Sequence, residues 1–355
     1  MRGRTDRQEI CDGGIGLRNH EVTKKQTLLT KDGHLQEPGW ARSQVWEYRR
    51  KEIKSPAFRI KEWDYYLVMG DGFAVAFTIS DNGYIGLQSV SFLDFTKPME
   101  QTKTVLTPFP MGKLKLPENS SEGDCEFSNK QMHIKYTVVP GKRRIQCRFK
   151  EFYHGTPFSC DISLEQPPMD TMVIATPWKD SRAFYYNQKI NCMRASGVVK
   201  FNGKIYYYHP EHDFGTLDWG RGVWTYDNTW YWGSGNGLVN GKPFGFNIGY
   251  GFGDTSAASE NILFYNGVGH KLDDVTFYIP AGDYMKPWMF TSSDGRFEMK
   301  FRPIIDRAAK IDVKLLMSDQ HQVFGKMSGK AILDNGEVLN IKDMMCFAER
   351  VHNVY

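Results

Sequence analysis

The sequence predicts a mainly β chain, folded as two antiparallel β-barrel halves in tandem with few helices. Three observations point there. Aromatic residues make up 14% of the chain and glycines number 34; apolar side chains alternate with period two; and tight turns recur at short, fairly even intervals. Rings and β-branched side chains suit a pleated surface, and Gly supplies the positive φ that hairpin turns need. At about 100–200 residues per domain, 355 residues accommodate two such units.

Residues 1–25 mix Arg, Asp, Gly and Lys without periodicity and read as a disordered arm. A turn-rich lead-in follows to Ser55, where Trp40 and Trp46 are expected to lie over a barrel end. Strands then begin. Phe73, Val75, Phe77 and Ile79 alternate with small residues up to Asp81-Asn82-Gly83, and a partner run covers Tyr84 to Phe95, which is a hairpin signature. The alternation returns at Met132, Ile134 and Tyr136, and after Pro140-Gly141 at Ile145, Cys147 and Phe149. The second half repeats it from Val198 to Tyr208, Phe244 to Gly251, Asn261 to Tyr265, Val275 to Ile279, and in later runs to Leu333. Many short strands parted by tight turns indicate a closing meander. Helix is expected only at Ile341–Glu349 and Thr102–Val105. The Pro167-Pro168 pair breaks the pattern, so the division is a first barrel with its lead-in over 26–180 and a second over 181–355 that carries the site.

The formal charge of +4 comes from 45 basic against 41 acidic residues with no long single-sign block, so nucleic-acid binding has little electrostatic support. No stretch of about 18 apolar residues occurs, and no membrane span is expected. The polar N-terminus and six cysteines without a C-x-x-C pair read as a cytoplasmic protein with ordinary thiols. The glycine-rich runs precede no helix and no G-x-S-x-G elbow is present, which disfavours nucleotide loops and serine hydrolysis.

One segment carries chemistry. Trp219, Trp224, Trp230 and Trp232 fall within residues 219–232, near Tyr206, Tyr207, Tyr208, Tyr226 and Tyr231. His209, Glu211, His212, Asp213, Asp218 and Arg221 share the stretch, and Asn247 and Tyr250 follow beside glycines. Rings supply contact area while a few polar atoms fix orientation, which is what a ligand pocket needs. A turn at Phe214-Gly215 would bring Asp213 and Asp218 together as a carboxylate pair, one kept protonated by burial and by its neighbour's charge, with His212 as proton partner. The plainer alternative has these carboxylates accepting bonds from turn amides and from Arg221. The spacing of His209, Glu211, His212 and Asp213 matches no zinc template, and nothing calls for a cofactor or a metal.

Several separated motifs resemble a known family. Asp32-Gly33, Pro38-Gly39-Trp40, Arg59-Ile60-Lys61-Glu62-Trp63-Asp64-Tyr65-Tyr66, Asp213-Phe214-Gly215 and Asp218-Trp219-Gly220-Arg221-Gly222 resemble, in order, the domain of unknown function 2804 family, from about Gln26 to the C-terminus. That family implies no established activity. More distantly, Gly197 to Gly203 leading to Asp218-Trp219-Gly220 is similar to the carotenoid 1,2-hydratase and AttH-like group. This resemblance implies tandem lipocalin-like (calycin) halves, with Asp218 where that group's motif has its acid.

The expected function is therefore enclosure of a lipophilic or polycyclic small molecule, with Asp213 or Asp218 as general acid for hydration, cyclisation or isomerisation. The tryptophan faces would stabilise a cationic intermediate. Two other readings use the same residues: a carrier without chemistry, and a carbohydrate site that stacks sugars on exposed Trp and Tyr.

Overall fold

The computed structural model describes residues 19–179, 182–313 and 316–354, without the side chains of 311–316; the expected arm over residues 1–18 lies outside them. Three short strands lead in: β1 (Gln26–Thr27), β2 (Gly39–Ala41) and β3 (Trp46–Glu47). Two 3-10 turns follow at Arg50–Glu52 and Ala57–Arg59. Next come β4 (Ile60–Gly70), β5 (Phe73–Asp81), β6 (Ile85–Asp94), β7 (Met99–Pro108), β8 (Cys125–Ser128) and β9 (Met132–Val139). After them run β10 (Lys142–Tyr153), β11 (Thr156–Glu165), β12 (Met172–Pro177), β13 (Phe184–Phe201), β14 (Lys204–Tyr208) and β15 (Phe214–Val223). The remainder is β16 (Asp227–Val239), β17 (Lys242–Tyr250), β18 (Ile262–Tyr265), β19 (Val268–Lys271), β20 (Val275–Tyr278), β21 (Trp288–Ser292), β22 (Phe297–Val313), β23 (Leu316–Ile332) and β24 (Val338–Val354).

Two large curled antiparallel sheets result, the two halves in tandem that were expected, beside a short parallel pair of β1 and β3. The first runs β7-β6-β5-β4-β15-β13-β11-β10-β9-β8, with β12 and β14 also on β13, and β2 on β12. The second runs β19-β18-β17-β16-β24-β23-β22-β21-β20. Ring contacts across each curl close its core. Phe92 of β6 stacks on Phe201 of β13 at 4.1 Å and Tyr66 of β4 meets Tyr136 of β9 at 4.8 Å. In the second sheet Phe246 of β17 meets Phe297 of β22 at 5.5 Å.

The chain passes from one sheet to the other between Val223 and Asp227, not at the expected 180/181 division. The Pro167-Pro168 pair does interrupt pairing, but β13 and β15 then return to the first sheet, where β15 pairs between β13 and β4. The expected arm is docked at Asn19 and Val22: Val22 is buried, and Asn19 donates to Asp273 at 2.9 Å across the molecule. Both expected helices are strands. Thr102–Val105 lies in β7 and Ile341–Glu349 in β24, because hydrogen bonding to long neighbours overrides a weak local helix preference. The lead-in buries Trp46 and Tyr48 in the first half-barrel, whereas Trp40 packs between the sheets.

Candidate functional site

Alternation along β15 sorts the motif Asp218 to Gly222 onto opposite faces of the first sheet. Leu217, Trp219 and Val223 join the core of the first half-barrel, and Arg221 points the same way. Thr216, Asp218, Gly220 and Gly222 face the second sheet. Directly paired residues share a face, so Lys189 and Tyr65 flank Asp218, and Asn187 and Trp63 flank Gly220. Gly220 is required here: a Cβ would meet the Trp63 ring at 2.0 Å. The second sheet answers with Trp230, Trp232, Ser234 and Asn236 of β16, Asn247 of β17, Gln322 of β23 and Glu349 of β24, and the loop after β17 adds Phe252 and Glu260.

This seam between the sheets holds a connected polar chain walled by rings. Asp218 accepts from Asn187 Nδ2 at 2.6 Å and from Lys189 Nζ at 2.8 Å. Lys189 Nζ also lies 4.0 Å from the centre of the Trp232 ring, where the negative face of the indole attracts it. Trp232 Nε1 donates to Asn247 Oδ1 at 2.7 Å, and Asn247 Nδ2 donates to the Glu260 carbonyl at 2.9 Å. Tyr185 stacks on Phe252 at 4.8 Å and donates its hydroxyl to Glu260 Oε2 at 3.3 Å. On the far side Glu349 accepts from Trp230 Nε1 at 3.0 Å and Gln322 Nε2 at 2.8 Å.

Burial sets the protonation of this layer. It pushes the Glu260 carboxyl up to about 7, against the pull of the Lys189 charge and with the help of Asp218. Glu349 is raised to about 6 by burial, opposed by the bonds from Trp230 and Gln322. The Tyr185 hydroxyl is held well above its ordinary value by burial and by Glu260. Glu260 Oε1, Tyr65 Oη, Asn187 Oδ1, Gln322 Oε1 and Trp224 Nε1 are buried here without a hydrogen-bond partner. Most buried polar groups in proteins are paired, so such a concentration marks a polar site. A carboxyl that carries its proton near neutral pH, among Trp224, Trp230, Trp232, Tyr185 and Phe252, is able to protonate a bound molecule and stabilise the cation that results.

The structure separates several residues that the sequence analysis grouped. Asp213 and Asp218 do not form a pair. Phe214 and Gly215 open β15 rather than make a turn, so five residue steps of extended chain separate the two acids by roughly 16 Å. Asp213 instead locks the turn before β15, accepting from the His209 amide at 2.8 Å and from His212 Nδ1 at 2.7 Å. His209, Glu211 and His212 are exposed around that turn. Arg221 does not bond Asp218; it donates to Asp64 Oδ1 at 2.9 Å on the barrel side. Trp219 faces the same barrel. Tyr226 is exposed, and Tyr250 stacks on Tyr231 at 4.5 Å on the opposite face of the second sheet from Trp232. The enclosed indole-lined space expected inside the second barrel is not there, because β16 turns its tryptophans to the seam and Phe and Met side chains fill that core.

What the seam does unite from the earlier set is Asp218, Trp224, Trp230, Trp232 and Asn247. Sequence reasoning missed Lys189, Glu260, Tyr65, Tyr185 and Glu349. One signal was available for Lys189: it is the only charged residue in the stretch Phe184 to Met193, which begins and ends in apolar side chains. Glu260 follows an irregular loop and carries no such signal. Among the described residues no cluster of His, Cys, Asp and Glu has metal-holding geometry, and no helix is long and apolar enough to cross a membrane. Two open grooves of about 460 and 540 Å³ lie on the outer face of β9 to β11, away from the seam.

Solved structures similar to the chain include the following two. A protein from Nitrosomonas europaea assigned as AttH shares 12% identity over 86% of this chain and 96% of its own, with a TM-score of 0.49. Kievitone hydratase from Nectria haematococca shares 11% identity over 95% of this chain and 98% of its own, with a TM-score of 0.44. No curated protein matches the sequence. The family profile named domain of unknown function (DUF2804) matches residues 19–355, and the chain belongs to that family.

Proposed function

We propose that the protein binds a lipophilic small molecule in the aromatic seam between its two sheets and acts on it by proton transfer from Glu260. Protonation of an alkene or enol ether leaves a cation beside the faces of Trp224 and Trp232. Water addition with return of the proton to Glu260 completes a hydration, and loss of a neighbouring proton completes an isomerisation. Asp218, held by Lys189 and Asn187, supplies a fixed negative charge to the same layer. One observation carries the reading: Glu260 is 2% exposed, has an unpartnered oxygen and is raised to about 7.

Burial of Trp224 and Trp232 supports an apolar ligand over a sugar, since sugar stacking uses exposed rings. The unpaired, buried thiols of Cys125, Cys147, Cys160, Cys192 and Cys346 support a reducing, cytoplasmic setting. A carrier without chemistry is the second reading, favoured by Asp218 already having two partners. Native mass spectrometry and organic extraction of the purified full chain separate the two. A molecule that accumulates unprocessed on Glu260→Gln marks an enzyme, and identical cargo on both proteins marks a carrier. If neither protein holds a molecule, and an apolar dye such as anilinonaphthalene sulfonate leaves the tryptophan emission unchanged, the reading fails.

A further inference from the structure

At one end of the first sheet, neighbouring segments present apolar side chains to solvent. Phe58, Leu106 and Phe109 are each more than half exposed, and Met111 is exposed as well. Their backbones gather on one turn, Asn82 to Tyr84. The Phe109 amide donates to the Tyr84 carbonyl at 2.9 Å and the Met111 amide to the Gly83 carbonyl at 3.0 Å. Gly83 lies so close to Phe58 that a Cβ there would meet the Phe58 carbonyl oxygen at 2.5 Å. Leu106 pairs with the half-buried Leu87 on the adjoining strand, which extends the apolar surface onto the sheet.

The base of this arrangement is buried and hydrogen-bonded. Asp81 accepts from the Gly83 amide at 3.0 Å and from the Gly112 amide at 2.7 Å. Lys61 donates to the Asn82 carbonyl at 2.8 Å, with Nζ 4.3 Å from the centre of the Tyr84 ring. Both of these charged side chains are buried. Phe109 and Met111 are held at φ 47° and 49°, in the left-handed region that bulky side chains avoid. Buried polar groups and unfavourable backbone angles thus keep apolar tips in water, and neighbouring exposed apolar side chains mark contact surfaces.

The charge among the tips names the partner. Residues 53–61, 82–84 and 106–117 contain no acid, and Lys54, Lys113 and Lys115 are exposed within them. The flanking acids are engaged or buried: Glu118 accepts from the Arg50 amide at 3.1 Å, Glu52 lies 4.0 Å from Arg49, and Glu62 is in the core. Apolar tips among lysines complement a surface that is anionic outside and apolar beneath, which is an anionic lipid bilayer.

We propose that this end of the first sheet docks on anionic lipid bilayers, with Phe58, Phe109 and Met111 entering the headgroup layer and the lysines meeting lipid phosphates. The surface adjoins the seam, because Arg59 Nη2 donates to the Trp224 carbonyl at 3.2 Å and the Arg59 carbonyl accepts from the Trp224 amide at 3.4 Å. Docking turns that edge of the seam towards the lipid, so the bilayer is the source of the lipophilic molecule. That route rests on the seam reading; the docking itself does not.

Co-sedimentation of the full chain with vesicles tests the docking. The chain is expected to bind vesicles of phosphatidylcholine with about one-third phosphatidylglycerol at least tenfold more tightly than pure phosphatidylcholine. Replacing both lysines, Lys113→Gln with Lys115→Gln, is expected to weaken binding about fivefold for each charge removed. Phe109→Ser is expected to weaken it roughly tenfold through lost apolar burial. All three positions are exposed, so unchanged melting curves will show that these variants fold. Absence of binding to the mixed vesicles, equal binding to neutral ones, or binding that neither variant weakens overturns the proposal. So does self-association that Phe109→Ser abolishes in the absence of vesicle binding, which would make the surface a contact between copies of the chain. Glu260 takes no part in this assay, so its failure leaves the seam reading standing.

Discussion

Inside the N-terminal half-barrel, Arg143, Arg221, Glu62 and Asp64 share the core with Tyr66, Tyr136 and Trp219, while the C-terminal half-barrel is packed with Phe244, Phe246, Trp288, Phe290, Phe297 and Phe301. The charged groups of the second half keep to its margin: His321 pairs with Asp306 at 2.7 Å where both are still about one-fifth exposed. Similar curled sheets thus enclose opposite interiors. Burying charge costs stability unless every partner is in place, whereas burying rings stabilises without conditions on geometry. The second half is thus chiefly a source of stability, whereas the first half and the seam keep buried polar groups that depend on one another as partners.

The largest effect expected is in the apolar core. Phe290→Ala should cost about 3–5 kcal/mol in denaturant unfolding, through lost burial and a cavity. A cost below 1 kcal/mol would mean that the second core is not what holds this half together. Arg221→Met in the polar core should cost about 3–4 kcal/mol, since it strands the buried Asp64 without its cation. Adding Asp64→Leu should recover most of that loss, a recovery with no counterpart in the apolar core. If the double variant is no better than the single, the polar core is held by its charges after all.

The seam gives a pH-dependent contrast. Glu260 is raised in the folded protein to about 7 from an ordinary value of 4.5. Its protonated form is therefore favoured by folding, and the associated stability is present below about 4.5 and lost as the pH rises to 7. Glu260→Gln stays neutral and should match the wild type near pH 4.5 but exceed it by roughly 3 kcal/mol at pH 8. Parallel melting curves across this range would remove Glu260 as a neutral acid. The smallest effect is expected where the sheets are riveted together. Asn236 accepts from the Cys192 amide at 2.9 Å and donates to Thr216 at 2.7 Å, so Asn236→Ala should cost about 1–3 kcal/mol by stranding those groups. An unchanged midpoint would show that the sheets are held by apolar packing alone.

Period two and the turn pairs were enough to read most strands in advance, including the Phe73 to Phe95 hairpin and the strand from Phe244. They failed at Ile341 to Glu349, where neighbouring strands and not the local pattern decide the conformation. In the site, the cluster from Trp219 to Trp232 was legible as a concentration of rings, and Asp218 as an acid among them. Its division was not: Trp219 and Arg221 serve the barrel, and Asp218, Trp230 and Trp232 serve the seam.

By itself, then, the sequence determined that this protein is mainly β and where its aromatic and acidic residues concentrate along the chain, because alternation and turn chemistry are local properties. Only the tertiary structure decided which face each residue joins and which distant groups meet it. Lys189 reaches Asp218 through sheet register, Glu260 reaches Tyr185 through the packing of one sheet on the other, and neither leaves a trace in the local pattern around Asp218.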